Sequence, residues 1–357
     1  MKVGIITFTV NNFGAQLQAY ALQNALEDLG YDAEICDVMI EPASMRIRRI
    51  VKVKELVSGL FSRDCLMTTR RLLKKLRRRN TLLKENSAGF LNFKNVYLKK
   101  SKEYTANELR NGLTKYDCYI TGSDQVFNYT MSSILDIYFL CFTNQKKISY
   151  AASFGVSHIP NCFKKKYVKY LKGLDAISIR EEQGVKIAES LISRQIDLVV
   201  DPTFLLSKEK WNLISDYSLC TPHKYIFVYD LIESDYLTKY VFYLSQKLNA
   251  EIIYASGKTP QQFIALITNA LHVVTTSFHG TALSINLGTN FTTIYRRSKK
   301  SNSRMVDLCR RYDMQDHLLY EGEIFKGIPS MDKSMYSLAL LKDIHSSISF
   351  LTNNLHI

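Results

Sequence analysis

With 357 residues and 46% apolar side chains, the chain is long enough for two domains and too apolar to be disordered. Its formal charge of +14 is concentrated, because residues 44–84 hold 14 Lys or Arg against two acids and leave a near-neutral +2 elsewhere. Seven cysteines (36, 65, 118, 141, 162, 220 and 309) stand singly with no CxxC, which excludes a disulfide scaffold and a metal-type spacing.

These thiols read as reduced and cytosolic. The opening MKVGIITFTVNNFG lacks the pattern of a signal peptide, and no run of about 18 apolar residues occurs. A soluble, intracellular protein is expected.

Val3–Val10 reads as a buried strand, ended by Asn11, Asn12, Phe13 and Gly14. A helix is expected over 15–29, with Leu17, Ala21, Leu22, Ala25, Leu26 and Leu29 at helical spacing and Gly30 as its stop. Ala33–Val38 supplies a second strand, and strand–helix–strand implies a parallel sheet. In the basic segment, Ile47, Ile50, Val51, Val57 and Phe61, then Leu66, Leu73, Leu76 and Leu83, repeat at helical spacing with most cations elsewhere. Two amphipathic basic helices follow from that pattern.

Further strands are expected at 116–121, 147–153, 176–179 and 197–200. From about 224 a second series alternates: strands at 225–230, 251–255, 272–276 and 291–295, helices at 234–248, 260–269 and 281–287. A last helix covers 334–354. The expected fold is α/β, with two doubly wound Rossmann-like domains over 1–210 and 211–333, a basic helical insertion at 44–84, and a C-terminal helix within 334–357.

Ligands of such sheets bind beyond the carboxyl ends of the strands. That rule singles out Asn12-Phe13-Gly14, Gly122-Ser123-Asp124-Gln125, Ser153-Phe154-Gly155, Arg180-Glu181 and Ser277-Phe278-His279-Gly280. The GKT at 257–259 is not a phosphate loop, since Ile stands at 252 where that loop needs its first glycine; a surface turn is expected. The first turn carries one glycine where a dinucleotide fingerprint needs three, and neither GxSxG nor HExxH occurs.

On chemistry alone His279 is a general acid, a phosphate ligand or a helix-capping turn residue. Arg180 either pairs with an acid such as Glu181 or Asp201, or forks onto a carboxylate or phosphate ligand. The basic helices are a solvated face, a nucleic-acid contact or an anionic-membrane contact; the neutral remainder, free of nucleic-acid motifs, favours the membrane.

Taken in order, ITFTVNNFGAQLQAYAL, YDCYITGSDQVFN (116–128), SYAASFG (149–155), ISIREEQG (177–184), VVDPTFLL (199–206), VVTTSFHGTALSINLG (273–288) and NSRMVDL (302–308) resemble the polysaccharide pyruvyl transferase family over nearly the whole chain. The resemblance implies a glycosyltransferase-B-like architecture, with two Rossmann-like domains across a cleft. It implies transfer of the enolpyruvyl group of phosphoenolpyruvate onto two hydroxyls of one sugar, forming a pyruvate ketal. Acceptors would be saccharides of capsule, exopolysaccharide or cell-wall assembly, often lipid-linked at the inner face of the plasma membrane.

Under that resemblance His279 is the general acid and Asp124 the base. Arg180, Ser277, Gly280, Arg296, Arg297 and Lys299 are donor-side candidates, and Asn12, Gly14, Ser123 and Gln125 are acceptor-side candidates. No metal, cofactor or nucleic-acid partner is expected. The rival readings are a nucleotide-sugar-dependent glycosyltransferase of the same architecture and a non-catalytic protein of the membrane surface.

Overall fold

Two parallel sheets organise the chain. The computed structural model describes residues 1–39, 87–132, 134–296, 303–325, 327–331 and 333–356; the basic segment 44–84, Arg297 and Lys299 lie outside these residues. The first sheet comprises β1 (Lys2–Ile6), β2 (Asp32–Ile35), β3 (Cys118–Thr121), β4 (Lys146–Ala152), β5 (Ala176–Ile179) and β6 (Asp197–Leu198), in the order β2-β1-β3-β4-β5-β6. The second comprises β7 (Tyr225–Tyr229), β8 (Glu251–Tyr254), β9 (His272–Thr275), β10 (Phe291–Tyr295) and β11 (Leu318–Tyr320), in the order β11-β10-β9-β7-β8. The strands of both sheets pair in parallel. Each sheet reverses its winding once, between β1 and β3 and between β7 and β9, and such reversals open the crevice where doubly wound sheets bind ligands.

The helix Phe13–Asp28 leaves the first reversal. Asn12 caps it, its side-chain oxygen accepting the Ala15 amide at 3.2 Å, and Gly30 follows its end at φ 86°. This helix is buried on almost every side, so its glutamines must find partners inside. Gln18 donates to the Thr7 hydroxyl at 2.9 Å, and Gln23 donates to the Lys99 carbonyl at 2.8 Å and accepts the Lys99 amide at 3.1 Å. β1 stops at Ile6, short of the expected Val10, because Thr7 turns its hydroxyl onto the Ser123 carbonyl at 3.0 Å and leaves the ladder.

One apolar cluster runs from Val3, Ile5 and Leu22 of the first body to Phe263, Leu283 and Phe291 of the second. Phe13 stacks on Phe263 across that boundary, with ring centroids 4.2 Å apart at 11°. The GKT at 257–259 lies in a turn, as expected, and the helix Pro260–Asn269 follows it: Thr259 caps it, Gln262 closes the capping box, and Pro260 takes the first position. The helix Lys333–Leu355 returns to the first body, where the Ser347 hydroxyl accepts the Val200 amide at 2.9 Å and Phe350 lies 6.3 Å from Tyr150. Among the described residues no helix is long and apolar enough to cross a membrane.

Candidate active site

After β9 the chain turns directly into the helix Phe278–Leu287. Ser277 is extended (φ −113°, ψ 138°), and its hydroxyl accepts the Gly280 amide at 3.4 Å, which starts the helix three residues before the expected 281. Gly280 permits close packing on β9, since a Cβ there would meet the Thr275 hydroxyl oxygen at 2.4 Å. Its amide, expected to assist a donor anion, instead completes the cap. His279 thus lies in the first turn of a buried helix and is itself only 6% exposed.

The imidazole of His279 reaches the first body in two directions. Nδ1 lies over Gly14, where an added Cβ would come within 1.9 Å of it. Nε2 lies 3.3 Å from a terminal nitrogen of Arg180 and 3.7 Å from a carboxylate oxygen of Asp201. Residues 14 and 279 therefore meet at the two reversals, one from each sheet.

Arg180 follows β5 and its side chain is fully buried. Its guanidinium donates to Asp201 at 2.5 Å, to the Ser123 hydroxyl at 3.0 Å and to Asp124 at 3.3 Å, and stacks 4.3 Å above the Phe278 ring. The sequence left two fates open for this arginine, and the acid-paired one is realised. Asp201 is the acid, joined by the Ser123 hydroxyl at 2.8 Å, the Thr203 amide at 3.0 Å and the Thr203 hydroxyl at 2.8 Å. Burial alone would raise the Asp201 carboxyl, but His279, Arg180 and Thr203 outweigh it and hold it well below the usual carboxylate range.

Glu181 differs. Burial pushes its carboxyl up, only partly offset by Arg180 and Arg304. One of its oxygens accepts the Phe154 amide at 3.0 Å; the other has no hydrogen-bond partner and lies 3.8 Å from the equally unpartnered Nε of Arg180. A narrow cavity of about 20 Å³, room for one water, lies beside them.

The other expected residues distribute as follows. Asp124 sits at φ 71° with its carboxylate on Arg180 and its carbonyl accepting the Ser153 amide at 2.9 Å. Gln125 accepts from Asn128 at 2.9 Å and packs where a side chain on Gly155 would stand. Ser123 is fully buried inside the arginine cage, not on an acceptor-facing surface. Burial raises the Tyr229 phenol, and the side chains of Asn12 and Ser277 partly lower it. Arg296 pairs with Glu321 at 3.0 Å.

Three members of the cluster go beyond the candidate site residues of the sequence: Asp201, there only a possible partner of Arg180, as its hub, Phe278 as the guanidinium platform, and Arg304, whose guanidinium lies 5.7 Å from the Phe278 ring. The signal for two of them was present, as the acid of VVDPTFLL at a strand end and the arginine of NSRMVDL. Among the described residues no group of three or more His, Cys, Asp or Glu is arranged to hold a metal ion.

The architecture is glycosyltransferase-B-like and recurs in solved structures. A UDP-GlcNAc 2-epimerase from Methanocaldococcus jannaschii superposes with TM-score 0.53 at 11% identity, covering 99% of this chain and 100% of that one. A UDP-GlcNAc 2-epimerase from Neisseria meningitidis gives 0.48 at 8% identity, covering 99% of each chain. The Methanocaldococcus likeness is of fold alone. No curated protein sequence matches the chain significantly. A family model described as polysaccharide pyruvyl transferase matches residues 12–298, a span that runs from the cap at Asn12 through the His279 turn. The protein is thus a transferase and belongs to the polysaccharide pyruvyl transferase family.

Proposed function

We propose that the protein transfers the enolpyruvyl group of phosphoenolpyruvate onto two hydroxyls of one sugar, forming a pyruvate ketal in a capsule or exopolysaccharide precursor. The observation that carries this reading is the junction of His279 with Arg180, Asp201 and Asp124, an acid–base and charge cluster assembled from both bodies. His279 gives a proton to the methylene carbon of the donor, and a sugar hydroxyl bonds to the neighbouring carbon. The carbon–oxygen bond to phosphate breaks, inorganic phosphate leaves with one hydroxyl proton, and the second hydroxyl closes the ketal as its proton passes to a base. Asp124 is the base in that step.

Arg180 fixes Asp124, Asp201 and His279 relative to one another. Asn12 and Gln125 line the first-body loops available to the acceptor. The route uses acid, base and fixed cations and calls for no cofactor. The basic segment 44–84 suits a lipid-linked acceptor at the anionic inner face of the plasma membrane.

The direct test is incubation with phosphoenolpyruvate and lipid-linked saccharides. Inorganic phosphate release should match a product heavier by one pyruvate less water. Binding is compared in parallel with UDP-GlcNAc, the ligand of the Neisseria structure. Binding of the nucleotide sugar with no response to phosphoenolpyruvate would overturn the proposal.

A further inference from the structure

The His279 turn lies at the carboxyl ends of the second sheet's strands, and their amino ends carry a cavity of their own. It measures about 670 Å³, within the span of roughly 300–1,000 Å³ usual for small-molecule sites. Thr292 at the start of β10, His317 just before β11 and Tyr240 of the helix Asp235–Leu248 lie in its wall, with Asp313, Asp316 and Glu323. Because β9, β10 and β11 pair in parallel, the cavity and the His279 turn belong to opposite ends of the sheet.

The polar part of the wall is held rigidly. Tyr240, Thr292 and His317 are each at most 5% exposed. The Thr292 hydroxyl meets the Tyr240 hydroxyl at 2.9 Å and Nε2 of His272 at 2.8 Å. His317 stacks on the Phe291 ring at 4.4 Å, and its Nδ1 donates to the Phe291 carbonyl at 2.8 Å. That bond puts the proton on Nδ1, and burial holds the imidazole below its usual range, so the ring is neutral near pH 7. Nε2 is left as an acceptor that bonds to none of the described residues.

This lining selects its ligand. Of the described residues in the wall three are acids and none is Lys or Arg, which disfavours phosphoenolpyruvate, nucleotides and other anions. Among the described residues no group of His, Asp and Glu is arranged for a metal ion. Asp313 and Asp316 are exposed, so water screens their charge and no cationic ligand is required. Carboxylates and a neutral imidazole nitrogen accept hydrogen bonds, and a sugar ring offers several hydroxyl donors at once.

We infer that this cavity is a second saccharide site, which holds a sugar unit of the polysaccharide away from the reacting centre. The inference stands on the family's substrate class and on the lining of the cavity, and it is independent of the phosphoenolpyruvate reading.

Saturation-transfer NMR of the full chain with the methyl glycosides of glucose, galactose, mannose and N-acetylglucosamine tests it. Thermal melts establish that each variant is folded. At least one glycoside should bind the wild type. Ser330→Trp fills the cavity from an exposed position in its wall and should abolish that signal. Asp316→Asn should weaken binding by on the order of tenfold. Asp235→Asn, which removes an exposed acid of the same body outside the cavity, should match wild type. Where Ser330→Trp does not fold, Asp316→Asn carries the test. Binding that survives the folded cavity variants belongs to another surface, the acceptor crevice included, and overturns the inference. A wild-type chain that binds none of the four glycosides, or only the amine spermidine, overturns it too.

Discussion

Gly14 and His279, 265 positions apart in the chain, are in contact: a Cβ on the glycine would stand 1.9 Å from Nδ1 of the imidazole. Gly14→Ala therefore has to displace the ring of the proposed acid. The expected loss in kcat is on the order of a hundredfold, since a shift of about 1 Å at a reacting group has that effect. Steady-state kinetics together with a melt decides this. Full turnover in a folded Gly14→Ala protein would show that the seat is not needed.

His279→Ala removes the proton donor and leaves the capping hydroxyl of Ser277 in place. Phosphate release in the presence of acceptor should fall by about 10²–10⁴-fold with the fold intact. Turnover near that of the wild type would take His279 out of the mechanism.

Asp201 makes a prediction about stability. Its folded carboxyl titrates below its unfolded value, so the unfolded chain binds more protons in acid. The stabilisation is complete above the unfolded pKa of about 3.9 and is lost as pH falls through the lower folded value. Asp201→Asn should cost about 3–5 kcal/mol at neutral pH by stranding buried Arg180. It should also flatten the acid limb of stability. Urea unfolding from pH 2 to 7 would expose an unchanged limb and so refute the assignment.

Glu181 has the opposite sign. Burial raises its folded pKa, so its contribution is complete below its unfolded value and declines as pH rises through the folded one. Gln keeps an acceptor for the Phe154 amide without titrating. Relative to wild type, Glu181→Gln should gain stability between pH 4 and 8, and paired unfolding curves at the two ends measure the difference. A gap independent of pH would contradict the raised carboxyl.

The basic segment predicts a surface interaction. Vesicles rich in anionic lipid should bind the full chain, and replacing cations of 44–84 by Gln should weaken that binding, most visibly at low salt. An intact chain that ignores such vesicles would end the membrane proposal.

Periodicity located every strand of both sheets but β11, whose three residues are too few to show a period, because alternating and helical spacings are local. The helix at 260–269 and the strand at 291–295 fall where the spacing placed them. The helix Asn161–Lys172 was missed, since seven of its twelve residues are Lys, Asn or Cys and its buried face rests on Tyr167, Tyr170 and Leu171. The turn of His279 and the strand-end residues around it were visible as motifs, whereas which of them meet was not. Arg180 and His279 are 99 residues apart, and Ser123 reaches Asp201 across 78. Nothing in a one-dimensional pattern says which acid a buried arginine will choose. For Asp201 the choice depends on β6 ending where Thr203 can supply an amide and a hydroxyl.

The return of the last helix has a mechanical consequence. Because Ser347 and Phe350 anchor the chain's end on the body that contains its beginning, the second sheet is held at both of its ends. A domain on one tether can swivel in any direction, whereas two tethers define an axis. Any relative motion of the two bodies is then a rotation about that axis, and each return brings His279 back to the same glycine.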